Sequence, residues 1–182
     1  MTPQDSLPRQ LGDYIERSGI ALAVSRTEGD APLILVNGAF CTLTGYSPDE
    51  ALGRNCRFLQ GEATTEQTRR PLHDFVHGTA PESGRFPIIN YRRDGSRFLN
   101  FVFMTRLRDR SGRARFILAS QFDMTSALRR SGLPANDETL TRALSDVEQI
   151  GREFGLAMVG SAQLIADSVA ILARLSLDED TS

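Results

Sequence analysis

Chemistry-bearing residues concentrate in one nine-residue segment, GRNCRFLQG, from Gly53 to Gly61. It sets a thiol, Cys56, between an amide, Asn55, and a guanidinium, Arg57, and carries a second amide at Gln60. An amide donates and accepts hydrogen bonds at once, and a guanidinium fork can hold two oxygens of an anion. Further amides stand at Asn90, Asn100 and Gln121. Taken singly, an Asn or Gln is most simply a loop cap or a solvated surface residue, and a lone Cys a buried structural thiol. Cys41 and Cys56 are too few for a disulfide framework and lack the paired spacing of a zinc site. His73 and His77 stand at i, i+4, a spacing that can ligate metal. Two neutral ligands without a cysteine or acid make a weak set, and surface or phosphate-facing histidines are the simpler reading. No metal is expected.

A scaffold must carry these residues, and the apolar pattern supplies one. Leu7, Leu11, Tyr14, Ile15 and Ser18 follow helical spacing and predict an N-terminal helical cap over 1–19, ending at Gly19. Between Ile20 and Asn37, the runs IALAVS and LILVN flank the polar turn TEGDAP and predict a hairpin. Gly38 to Thr44, Ser47 to Leu52 and Asn55 to Gln60 read as helical pieces too short to be stable alone. Thr65 to Val76 has helical character, and Pro71, which cannot donate to an upstream carbonyl, predicts a restart inside it. Strand-like stretches follow at Arg85 to Arg92, Arg97 to Leu107 and Arg113 to Met124. Two strands, short helices and three strands make an α+β domain over 20–125: one antiparallel five-stranded sheet with short helices on one face. A linker over 126–136 contains SGLPAN. The stripe Leu140, Leu144, Val147, Gly151, Phe154 then predicts a helical extension over 137–177, divided into two helices near Gly155 and Gly160. An acidic tail, 178–182, ends the chain.

GRNCRFLQG closely resembles the signature of LOV domains, the flavin-binding blue-light sensors of the PAS superfamily. AFCTLTGYS (Ala39 to Ser47), INYRRDGSRFLN (Ile89 to Asn100) and SQFDMT (Ser120 to Thr125) continue the resemblance in the family's order and spacing. It implies a PAS/LOV fold and FMN as cofactor, with FAD or riboflavin as alternatives. A flavin has an apolar dimethylbenzene end and a pyrimidine edge of donors and acceptors, which suits apolar walls lined with amides. By resemblance the cofactor-binding residues are Asn55, Arg57, Gln60, Asn90, Asn100 and Gln121. Cys56 is then the photochemical residue, forming a reversible cysteinyl-flavin C4a adduct in blue light. Gln121 is the signal relay, rotating its amide when N5 gains a proton. Cys41 occupies a helix position usually apolar in the family and stays structural. Arg57 is expected at the flavin phosphate. The family's common second phosphate arginine falls here on His73, with Arg69 and Arg70 near the expected break at Pro71. This departure predicts a weakened phosphate clamp that separates FMN, FAD and riboflavin less well.

Composition bounds the rest. The chain has 182 residues, 40% hydrophobic and 24% charged, with net charge -2, enough for one globular domain with flanking elements. No apolar run reaches the roughly 18 residues of a membrane span, so neither signal peptide nor anchor is expected, and the cytoplasm is the expected setting. All 21 basic residues are Arg, a coding bias that weakens the meaning of any single one. Residues 136–182 hold 3 Arg against 9 acids, which opposes nucleic-acid binding. Residues 126–182 contain no His to accept a phosphoryl group and leave no room for an ATP-binding domain, so no enzyme activity is expected. A light-dependent homodimer through the helical extensions is the expected output, with the downstream protein partner unnamed. The competing readings are a haem-binding PAS sensor using His73 or His77, and a cofactor-free PAS dimerisation module.

Overall fold

The computed structural model describes residues 7–78 and 81–125. The helices are α1 (Arg9–Arg17), α2 (Gly38–Thr44), α3 (Pro48–Ala51) and α4 (Glu66–His77), with a 3-10 turn at Cys56–Leu59. The strands are β1 (Ala21–Arg26), β2 (Leu33–Val36), β3 (Ser83–Tyr91), β4 (Arg97–Arg108) and β5 (Ala114–Asp123). They form one sheet in the order β2-β1-β5-β4-β3, every pairing antiparallel. Among the described residues no helix is long and apolar enough to cross a membrane.

The central strands are buried along nearly their whole length, so the sheet is covered on both faces. On one face Leu22, Val24, Leu107, Phe116 and Leu118 pack against Leu11 and Ile15 of α1. The period of that helix places both leucine-type residues on one side, and their burial holds it there. On the other face α2, α3, the 3-10 turn and α4 surround the residues that matter for function.

Polar side chains join the pieces. Asn37, buried between β2 and α2, donates from Nδ2 to the carbonyls of Ile15 (3.0 Å), Ser18 (3.1 Å) and Ile20 (2.7 Å). Its Oδ1 accepts from the N–H groups of Leu22 (3.0 Å) and Phe40 (2.9 Å), capping α2. One side chain thus ties α1 to the sheet and to the helix beside the site. Ser47 and Glu50 form a capping box around α3, with Pro48 in its first turn. Arg106 of β4 is buried and donates from Nε to Pro81 O (3.1 Å) and from Nη2 to Phe75 O, with its guanidinium 4.6 Å from the Phe75 ring centre. It anchors the C-terminal end of α4 to the sheet.

One local expectation needs correction. Pro71 does not restart a helix, because α4 runs unbroken through it. The missing N–H forfeits one bond, to the Gln67 carbonyl, on a face where both residues are exposed to water; burial of Phe75 and Val76 carries the helix across the gap. The short helical piece expected over Asn55 to Gln60 is a 3-10 turn, Cys56–Leu59, flanked by Asn55 and Gln60. Asn55 Oδ1 takes the Arg57 N–H at 2.9 Å, and Gln60 N–H reaches back three residues to Arg57 O at 2.9 Å. The expected linker 126–136, the helices over 137–177 and the tail 178–182 lie outside the described residues.

Candidate functional site

A cavity of about 600 Å³, open mouth included, lies between the sheet and the short helices. Strand register builds its polar end. Ile88 pairs with Asn100 and Val102 pairs with Gln121, so Asn90, Asn100 and Gln121 stand diagonally across three adjacent strands on the same face. All three are buried, at 4%, 1% and 3% exposure. Asn100 Nδ2 donates to Asn90 Oδ1 and to Gln121 Oε1, both at 2.9 Å. Asn100 Oδ1 and Gln121 Nε2 meet no hydrogen-bond partner among the described residues. Burying an amide atom without a partner costs about 1–3 kcal/mol, which makes this pair an unfilled demand for one donor and one acceptor.

The rest of the cavity is apolar. Ala23 and Ala119 face each other across β1 and β5, and their small side chains hollow the floor beside Ile88, Val102, Met104 and Ile117. Leu33, Leu72, Val76 and Ala31 close it from above. Cys56, at the start of the 3-10 turn, lines the same space. Cys56 is half-buried, and the protein around it still desolvates the thiol. That burial penalises the thiolate and pushes the Cys56 thiol up to about 12, so at neutral pH it is a protonated S–H. Cys41 is half-buried on α2 and is likewise raised by burial. It packs against the cluster around Phe40 as a structural thiol would.

A second, open hollow adjoins the first and shares Asn55, Arg57, Gln60, Leu72 and Val76 with it. Arg69, Arg70, His73 and His77 line it from α4. The structure therefore brings Cys56, Asn55, Gln60, Asn90, Asn100 and Gln121 to one cavity, and Arg57, Arg69, Arg70 and His73 to its antechamber. Asn55 is partly spent on the scaffold: besides capping the turn, it donates from Nδ2 to Asp30 O at 2.6 Å. Arg57 is also engaged, meeting Asp30 with two parallel bonds of 2.6 Å, Nη1 to Oδ1 and Nη2 to Oδ2. Asp30 escaped the sequence reading because an acid inside a polar hairpin turn carries no distinguishing pattern. No group of three or more His, Cys, Asp or Glu side chains among the described residues could hold a metal ion.

A profile of the PAS domain family matches residues 18–126. The LOV domain of the blue-light-activated histidine kinase from Erythrobacter litoralis EL346 is 38% identical, with a TM-score of 0.56; the match covers 60% of this chain and 99% of that one. This chain belongs to the PAS family as a LOV domain. A blue-light-activated histidine kinase from Rhizobium johnstonii is 35% identical over 149 residues, which cover 80% of this chain and 41% of the kinase. The LOV chain thus spans less than half the length of that curated relative. A solved structure titled an RNA-binding Light-Oxygen-Voltage receptor is 32% identical, with a TM-score of 0.61, matching 80% of this chain and 39% of its own. These relatives carry names of blue-light or Light-Oxygen-Voltage receptors.

Proposed function

We propose that the LOV domain holds a flavin in this cavity and reports blue light through a reversible bond to Cys56. The observation that carries this reading is the pair of unpartnered buried amide atoms, Asn100 Oδ1 and Gln121 Nε2, in an otherwise apolar cavity that Cys56 also lines. The demand for one donor and one acceptor fits the pyrimidine edge of a flavin, and the alanine floor and aliphatic walls fit its ring. A bound flavin would supply the photochemistry: blue light makes its C4a carbon reactive toward sulfur, N5 takes up a proton, and the bond reverses in darkness.

The protein's own part is geometric. Cys56 is a neutral thiol in the dark, so it carries its proton with it and is no ordinary nucleophile until the cavity's occupant is excited. Asn90 and Asn100 hold the polar end of the cavity in a fixed sense, because the Asn100 Nδ2 bonds orient both neighbours. Gln121 sits on β5 two residues before its last residue, Asp123. Turning its amide over would present Oε1 to a newly protonated partner and break the Asn100 bond, passing a local proton event to the exit of the sheet. Arg57, Arg69, Arg70 and His73 would meet the flavin's phosphate in FMN, the preferred cofactor; FAD and riboflavin are the alternatives.

Output runs through association rather than catalysis: the apolar stripe from Leu140 to Leu175 would form a homodimer whose stability depends on light. The 9 acids against 3 Arg of residues 136–182 favour a protein over RNA as the further partner, within the cytoplasm. The test is an absorption spectrum of the purified protein before and after blue light. Yellow protein that bleaches and recovers in darkness, with Cys56→Ala yellow but unable to bleach reversibly, is the expected result. The same photocycle in Cys56→Ala overturns the bond, a haem spectrum points to His73 or His77 instead, and colourless protein leaves a dimerisation module.

A further inference from the structure

We propose that Asp30 sets how strongly the LOV site distinguishes phosphorylated from unphosphorylated flavins, by competing with the flavin phosphate for the Arg57 guanidinium. This rests on the flavin reading above and adds to it a residue with a direction of effect.

Asp30 is held in position by its surroundings. The residue after it, Ala31, adopts a left-handed backbone, φ 49°, and buries its methyl at 3% exposure against the cavity cluster of Phe75, Val76 and Ile117. Ala31 N–H bonds Glu28 O at 3.2 Å, and Asn55 Nδ2 holds the Asp30 carbonyl at 2.6 Å. The carboxylate therefore projects from a fixed backbone onto Arg57 and fills both arms of its fork. Arg57 is the arginine common to both chambers, the one a phosphate entering the antechamber would share with the inner cavity.

The pair is also replaceable. Its side chains are 58% and 56% exposed, and an exposed ion pair is weak enough for a more highly charged anion to exchange with it. A phosphate dianion that displaced Asp30 would leave the freed carboxylate a few ångströms away, opposing it. The other cations of the antechamber are likewise paired with acids, so each would exchange a partner for phosphate as Arg57 does. Arg69 lies 3.0 Å from Glu66 and Arg70 lies 3.9 Å from Asp74, while His73 is 3.5 Å from Asp74. Cation is matched by anion around the chamber, so removing the acid on Arg57 should favour phosphate without altering the inner cavity's amides.

The test uses the full chain stripped of flavin, with riboflavin and FMN as probes and quenching of flavin fluorescence as the measure of affinity. Asp30→Asn should raise the preference for FMN over riboflavin by about three- to tenfold at low salt, the scale of one charge acting on a dianion through water. The gain should shrink at molar salt and vanish when Arg57→Gln is added. Equal shifts for both flavins, or a gain that survives Arg57→Gln, overturns the role of Asp30 while leaving the flavin reading intact. Failure of the wild-type protein to bind either FMN or riboflavin overturns the flavin reading and this proposal with it. Should Asp30→Asn not fold, Asp30→Ser removes the same charge and must give the same preference.

Discussion

Labelling Cys56 with iodoacetamide in darkness tests whether the site relies on a neutral thiol. Only the thiolate reacts, so the rate follows the ionised fraction. Burial lifts the Cys56 thiol from the ordinary 9.0 to about 12. At about pH 8 an unperturbed thiol is ionised in roughly one molecule in ten, and Cys56 in roughly one in ten thousand, so labelling should slow by about a thousandfold. Steric shielding would also slow the reaction, but it leaves the pH midpoint unchanged, whereas desolvation moves the midpoint itself. The assay is therefore a pH series followed by mass spectrometry of the Cys56 peptide, with Cys41 resolved as a separate peptide. A rate still rising beyond about pH 10 is the expected outcome; a plateau with a midpoint near 9 refutes the argument. The same shift has a sign for stability. Because the folded thiol ionises later than the unfolded one, its contribution is fully present below pH 9 and is lost as pH rises from 9 through about 12. Cys56→Ser should lack that part of the alkaline decline in urea unfolding.

Three other substitutions probe the scaffold and the relay. Gln121→Leu should keep blue-light bleaching while reducing the light-induced change in circular dichroism or scattering, since the amide that reports to β5 is gone; an undiminished change counts against the relay. Asn37→Ala removes five hydrogen bonds from a buried hub and should cost about 3 kcal/mol in urea unfolding; a loss under about 1 kcal/mol would mean that water replaces it. Arg106→Gln should destabilise by about 2 kcal/mol, with faster hydrogen exchange confined to the C-terminal turn of α4, because the carbonyls of Phe75 and Pro81 lose a charged donor. Uniform exchange throughout the sheet would assign Arg106 to general packing instead.

The sequence by itself determined the parts of this LOV domain that depend on neighbours along the chain. The apolar runs around the turn TEGDAP, the short helical pieces and the strand-like stretches after Arg85 are local signals, and the structure returns five strands and the short helices near where those signals lie. The amides were legible only through the family resemblance, and the antiparallel register is what puts Asn90, Asn100 and Gln121 on one face of adjacent strands. Only the tertiary structure decided what those side chains meet. It took the register of β3, β4 and β5 to leave Asn100 Oδ1 and Gln121 Nε2 without partners, and the fold of the first hairpin to bring Asp30 onto Arg57, 27 positions away. It also carried α4 through Pro71, where the burial of Phe75 and Val76 outweighs one missing hydrogen bond. Local periodicity says which face a residue occupies. Charge pairing across a long loop, and the burial that rescues a broken helix pattern, arise from contacts between segments whose separation leaves no pattern along the chain.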